Sequence, residues 1–233
     1  MLYQSGVARD VNTGWIESDI GDACFSPAMK DSSRHLIAKR GVDVCVAVAA
    51  LIFLMPFLLF VAACIKLESK GPVLFSQRRW GKDGSTILVY KFRSMRTDLC
   101  DATGVHQTTK GDPRVTRAGA ILRRTNVDEL PQLWNVLTGD MSIVGPRCHP
   151  IGMLAAGMPY ELLVPNYHDR HVVRPGLTGL AQVRGLRGPT DRPSRARARI
   201  ACDLYYVKNF SIWLDLKILV ATVWSEFRGG TGF

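Results

Sequence analysis

The chain has 233 residues, 47% hydrophobic and 21% charged, enough apolar material for a packed domain and too much for a disordered chain. Thirty Lys and Arg against twenty Asp and Glu leave a formal charge of +10, a balance that suits anionic partners such as nucleotide phosphates or an acidic membrane surface. The six scattered cysteines form no C-x-x-C pair, which excludes a disulfide framework or a cysteine zinc site and fits a reducing, cytosolic setting.

Residues 1 to 33 are polar and glycine-containing without a sustained period, and are expected to form a loose tail. Val44 to Ile65 then runs for 22 residues with no charge. A straight helix of that length is about 33 Å long, against a hydrocarbon core of about 30 Å. Pro56 sits mid-run, and basic residues flank both ends (Lys39, Arg40 before; Lys66, Lys70 after), so charge gives the segment no orientation. Two arrangements stay open on this stretch alone. One is a helix-break-helix hairpin that enters one leaflet and returns at Pro56; the other is a kinked single span, since proline is tolerated in membrane helices. A minority reading takes Val61-Ala62-Ala63-Cys64 as a lipoprotein processing box, against which stand the long leader and the proline.

Further along, Val73-Leu74-Phe75 and Ile87-Leu88-Val89-Tyr90 are β-prone runs around a Gly81-Lys82-Asp83-Gly84 turn, a hairpin signal. Residues 99–113 read as polar loop, 115–124 as a basic helix and 130–138 as a short amphipathic one. Residues 150–188 are rich in Gly and Pro and are expected to be largely irregular. Helix is expected again over 195–208. The stretch 210–227, carrying Trp213 and Trp224, fits an interfacial helix and equally a packed core helix.

The residues that could carry chemistry cluster around Asp128 and Glu129. Pro131 suits the first turn of a helix, which would put both carboxylates at a helix N-terminus, where the dipole favours keeping Asp128 ionised and would also accept a phosphate. One carboxylate could attack phosphorus while the other holds a hard cation such as Mg²⁺. The plain alternative for an Asp-Glu pair is helix capping. Lys91, Arg93, Arg147, Arg174, Arg184 and Arg187 are candidate phosphate contacts, each against a default of solvated charge. The run Arg192, Arg195, Arg197 and Arg199 suits anionic lipid headgroups or a solvated face. No DNA- or RNA-binding motif accompanies it, so nucleic acid is not expected as a partner. His149 beside Cys148 lacks further ligands, and no metal is assigned there.

Taken together, the stretches KRGVDV, GPVLFSQRRWGKDG, VYKFRSM, DPRVTRAGAILRR, DELPQLWNVLTGDMSIVGPR, RPGLTGLAQVRG and DLYYVKNFSIWLDLKIL resemble, in family order, the small monotopic polyprenyl-phosphate phosphoglycosyl transferases of the bacterial sugar-transferase family. The resemblance implies an α+β, helix-leaning fold with three parts: a tail over 1–33, a re-entrant membrane hairpin over 34–69 broken at Pro56, and a cytosolic catalytic domain over 70–233 ending in an interfacial helix. It implies transfer of a sugar-1-phosphate from a UDP-sugar to undecaprenyl phosphate at the bacterial inner membrane, among anionic lipids, to initiate exopolysaccharide or surface glycan synthesis. Asp128 would be the nucleophile, Glu129 would bind Mg²⁺, and Lys91, Arg93, Arg123, Arg147 and Asp203 would contact substrate or support the site. Two departures stand out. Asn126-Val127 replaces the family's usual Ser-Leu, with little effect expected, and Cys148 replaces a proline, which puts the rigidity of the Arg147 loop in question. The reading from a different class is a non-catalytic, membrane-anchored scaffold that binds anionic partners through its basic loops.

Overall fold

Helix, strand and turn are described here for residues 33–96 and 111–227 in a computed structural model of the chain. The expected tail, apart from its last residue, and most of the expected 99–113 loop lie outside the described residues. The first element is α1, Ser33–Glu68, a 36-residue helix with Pro56 inside it. The expected interruption at Pro56 is therefore absent. A proline removes one backbone donor, and here the turns on either side stay helical around that gap. The helix does not stand free of the rest of the molecule. Asp43, Ala47, Val61 and Ile65 are buried along one face, at spacings that return to the same side of a helix. Ala50 and Leu51 pack against the main core, while Leu58 and Ala62 pack with Phe92 and Leu122. The opposite face leaves Ile52, Phe53, Leu59 and Phe60 exposed. Among the described residues, this is the one helix long and apolar enough to cross a membrane.

The expected hairpin is present. Strand β1 (Leu74–Trp80) pairs antiparallel with β2 (Thr86–Phe92), placing Phe75 opposite Lys91, Gln77 opposite Val89 and Arg79 opposite Ile87. A short 3-10 turn over Lys82–Gly84 joins them, with Asp83 and Gly84 at positive φ. Helix α2 (Arg117–Arg124) starts at Thr116, whose hydroxyl accepts from the Gly119 amide. Gly119 lies so close to the Ser94 backbone that a Cβ there would collide with it. That contact seats α2 beside the end of β2.

After a 3-10 turn at Val127–Glu129 comes α3 (Gln132–Thr138), closed by Gly139 at φ 94. Strand β3 (Ser142–Val144) leads into the Gly-Pro turn. The expected irregular stretch is a succession of short pieces: β4 (Leu154–Ala155), β5 (Met158–Pro159), α4 (Tyr160–Leu163), a 3-10 segment at Tyr167–Val172, β6 (Gly176–Thr178) and α5 (Leu180–Val183). Strand β6 pairs in parallel with β3, and β4 pairs antiparallel with β5. Helices α6 (Pro193–Lys208) and α7 (Ile212–Phe227) complete the fold. Val136, Met141, Val144, Tyr206 and Ile218 form the centre of the main core. Helix α7 has two faces: Asp215 and Ile218 are buried, as a packed core helix requires, whereas Trp213, Val220 and Trp224 are exposed.

Candidate active site

The carboxylates do not cap α3. They lie one turn ahead of it, in the 3-10 turn Val127–Glu129, and Pro131 occupies the cap position of α3 itself. Asn126 begins this turn in the left-handed region, φ 55 and ψ 14. Asn enters that region more readily than most residues, so this departure from the family's usual Ser suits the backbone it must adopt. The Asn126 carbonyl accepts from the Glu129 amide at 3.1 Å, and its amide donates to the Arg123 carbonyl at 3.4 Å.

The two neighbours have opposite surroundings. Glu129 accepts from Lys91 Nζ at 2.5 Å and from both terminal nitrogens of Arg147, one at 2.9 Å. Burial pushes its carboxyl up, but Arg147 and Lys91 more than offset that and hold it well below the usual carboxylate range. The Asp128 carboxylate makes no hydrogen bond or ion pair with the described residues, and the residue is 8% exposed. Burial raises its pKa, opposed by Lys91 and reinforced by the charge of Glu129. The helix-terminus stabilisation expected for Asp128 is not what acts on it, because the carboxylates are off the helix and desolvation is the largest influence. Lys91 is lowered by burial despite Glu129, and Arg147 is raised, mainly by Glu129.

Lys91 reaches the site from the β2 face that also carries Ile87 and Val89. Arg123 approaches from the last turn of α2, its guanidinium 3.5 Å from Ser94 Oγ, and its charge helps to lower the Asp128 pKa. Strand parity adds two residues that reading the sequence missed. Gln77 and Arg79 lie on the Lys91 side of the hairpin, hydrogen-bonded to each other at 2.9 Å. The signal was available in the alternation of the β1 run, once its register with β2 is known.

Arg147 is fixed from behind, so the Cys148 substitution does not leave its loop loose. The Gly176 amide donates to the Pro146 carbonyl, Arg79 donates to the Cys148 carbonyl at 2.9 Å, and Arg170 donates to the Arg147 carbonyl. Arg170 is 1% exposed. It pairs with Asp203 at 2.9 Å and lies 3.0 Å from His149 Nδ1. Burial lifts the Asp203 carboxyl to about 6 against the pull of Arg170. Burial and the neighbouring guanidinium hold His149 well below its usual value, which keeps the imidazole neutral and able to accept. Asp203 therefore does not line the site; it is enclosed behind Arg147, where its ion pair with Arg170 gives it a supporting place.

Other expected basic contacts are elsewhere. Arg93 is buried and donates to the carbonyls of Ile65, Ser69 and Lys70, closing the C-terminal end of α1, where unpaired carbonyls favour a cation. It is a cap, not a phosphate ligand. Arg174 donates to the Gly139 carbonyl behind α3. Arg195 and Arg199 donate to carbonyls of the 185–188 loop, so part of the basic run supports a loop and does not form a solvated face.

For a divalent cation, the described residues contain no group of three or more His, Cys, Asp or Glu that could hold one. Glu129 already has a cation on each oxygen. The donor set suits Mg²⁺ only with phosphate oxygens added, the way that ion is commonly held.

A buried acidic turn lies among Lys91, Arg123 and Arg147 beside the apolar helix α1, an arrangement of charge that suits phosphate oxygens. Comparison with known proteins places it within a family. The model for "Bacterial sugar transferase" matches residues 34–229, and the chain belongs to that family. It is 69% identical over 198 residues to the "Exopolysaccharide production protein PSS" of Rhizobium leguminosarum bv. phaseoli, covering 85% of this chain and 99% of the relative. It is 47% identical over 196 residues to the "UDP-glucose:undecaprenyl-phosphate glucose-1-phosphate transferase" of Escherichia coli (strain K12), covering 84% of this chain and 41% of that protein. It is 41% identical to a "UDP-N-acetylgalactosamine-undecaprenyl-phosphate N-acetylgalactosaminephosphotransferase" of Aeromonas hydrophila, covering 91% of this chain and 48% of that protein. The chain thus spans nearly all of the first relative and under half of the other two.

Proposed function

We propose that this protein transfers a sugar-1-phosphate from a UDP-sugar to undecaprenyl phosphate, releasing UMP and initiating an exopolysaccharide or surface glycan. The observation that carries the reading is the asymmetry of the acidic turn: Glu129 is tied to Lys91 and Arg147, while Asp128 is left open in the field of three cations. A carboxylate meant only for structure would be paired; one meant to attack must keep an oxygen available. In the first step, an Asp128 oxygen bonds to the β-phosphorus and the bond to the UMP oxygen breaks. In the second, an oxygen of the lipid phosphate displaces Asp128, which leaves as the free carboxylate. Phosphoryl transfer needs charge neutralisation and alignment above all. Lys91, Arg123 and Arg147 supply the charge, and the Arg170 contact holds Arg147 in line. Glu129, with the donor's diphosphate, would hold Mg²⁺, which when bound would neutralise charge developing on the departing UMP.

The names of the relatives support glucose as the first donor to try, with N-acetylgalactosamine as a comparator. The test is UMP release by the purified chain in nanodiscs with undecaprenyl phosphate, Mg²⁺ and a panel of UDP-sugars. Release that depends on one donor and disappears in Asp128→Asn supports the reaction. Silence across UDP-sugars and other nucleotide donors would sink it in favour of a scaffold.

The membrane placement we infer is re-entrant, at the cytosolic face of the inner membrane. Both ends of α1 are fastened to the same folded body. At its start, Lys39 binds Asp215 at 2.7 Å, Arg40 donates to the Val136 and Leu137 carbonyls, and Asp43 accepts from Ser142 and from the Ile143 amide. At its end, Glu68 accepts from the Arg117 and Ala118 amides, and Arg93 caps the last turn. A single span would put these two ends on opposite sides of the bilayer and separate contacts that one domain makes. The missing donor at Pro56 gives the helix a place to bend on insertion. Cysteines introduced at His35 and Lys70 should both label from the cytosolic side; labelling from opposite sides would make α1 a span.

A further inference from the structure

The last turn of α7 reaches the acidic turn from the far end of the sequence. The Glu226 carboxylate accepts from Asn126 Nδ2, at 3.2 Å on one oxygen and 3.1 Å on the other, and from Arg187 at 2.7 Å. Asn126 is the left-handed residue that starts the Asp128 turn, and its main chain joins Arg123 to Glu129. Its side chain is thus the handle by which the turn is held. The other end of α7 is fixed as firmly: Asp215 accepts from Lys39 of α1 and from the Tyr206 hydroxyl, both at 2.7 Å. Between these ends, the outer face of α7 exposes Trp213 and Trp224. One helix therefore links the membrane helix, an exposed apolar face and the turn that carries the open carboxylate.

We propose that Glu226 is a positioning residue for Asp128, acting through Asn126, so that the docked C-terminal helix sets the attacking carboxylate. The proposal rests on the phosphotransfer reading above. A carboxylate with no side-chain partner among the described residues has its backbone turn to aim it, and a small misplacement of a reacting atom is costly. Glu226 bonds to none of Asp128, Lys91, Arg123 and Arg147, so its loss should act on kcat more than on donor affinity.

The test uses the full chain in nanodiscs with UDP-glucose and undecaprenyl phosphate. Glu226→Ala is expected to lower kcat about tenfold, with KM for the donor within about twofold. Asn126→Gly still reaches the left-handed backbone without strain and removes the side chain that Glu226 holds; it should lower kcat by a similar factor. Because the two residues act as one contact, the double variant should be no slower than either single. Glu226→Gln retains an acceptor oxygen and should recover most of the rate. Wild-type kcat in Asn126→Gly, or a double-variant loss equal to the product of the singles, overturns the proposal, including where Glu226→Ala does not fold. Hydrogen exchange over residues 123–130 reads the same coupling without turnover and should quicken in both single variants. Unchanged exchange overturns the proposal independently. A wild type inactive on every donor would instead sink the proposed function and leave the exchange result to decide this one.

Discussion

Two arginine–carboxylate centres lie on either side of Arg147, and they are built to opposite ends. Behind it, Arg170 and Asp203 form an enclosed ion pair, with side chains 1% and 2% exposed, and Arg170 also meets His149 and the Arg147 carbonyl. In front, Lys91 and Arg147 bond to both oxygens of Glu129 and leave Asp128 without a bonded partner among the described residues. Composition does not distinguish the two, since each combines basic side chains with carboxylates in a dry setting. The difference is the counterion. Asp203 has a buried guanidinium of its own at 2.9 Å and serves to fix geometry, whereas Asp128 has none among the described residues and keeps its oxygens available to react.

The largest effect should come from the open group. Asp128→Asn is expected to lower UMP release by about 10³-fold or more, with a melting temperature equal to or above wild type, because burial already disfavours the ionised carboxylate. A variant that lost stability along with activity would place Asp128 in the closed class. Next, Arg170→Ala should cost about 3 kcal/mol by stranding Asp203 and also slow turnover, measured by chemical denaturation and UMP release. Replacing the pair together (Arg170→Met with Asp203→Leu) should restore stability but not rate, since the Arg147 carbonyl still lacks its donor. Rate recovering with stability would show the closed centre to be structural only.

The pH profile sharpens the contrast further. Attack requires ionised Asp128, and burial raises its pKa, so activity should be lost on acidification at a pH above the usual carboxylate range. Lys91 is lowered by burial, so the alkaline limb should fall below the usual lysine range. Both limbs move inward, giving a narrow bell in kcat/KM. The smallest expected change is a shift of that bell. Glu129→Gln removes the like charge that helps raise Asp128, and its acid limb should move to lower pH even as the maximum rate falls. An acid limb unmoved in this variant would mean that another group titrates there.

Much of the site could be read along the chain because its signals are local. The Asp128-Glu129 pair, the Lys91 that ends a β-prone run and the Arg147 after a Gly-Pro turn all stand in short, recognisable stretches, as do the hairpin, α2, α3 and α6. The places of Arg93 and Asp203 could not be read in this way. Both are charged residues in motif positions, and nothing local tells a phosphate ligand from a helix cap or a buried counterion. That depends on whether the α1 carbonyls or Arg170 arrive first. Arg170 itself gave no sign in a Gly- and Pro-rich stretch, although it is among the largest fully buried side chains.

The sequence by itself determined that a long uncharged helix, a basic body and an acidic turn belong to one chain, because hydropathy, charge and turn chemistry act over a few residues at a time. Only the tertiary structure decided which carboxylate is free and which is neutralised. It also decided that both ends of α1 are held by one body, and that Glu226 closes on Asn126 a hundred positions away. Desolvation and ion pairing depend on what surrounds a group in space. For adjacent residues with the same chemistry, such as Asp128 and Glu129, those surroundings are the whole of the difference.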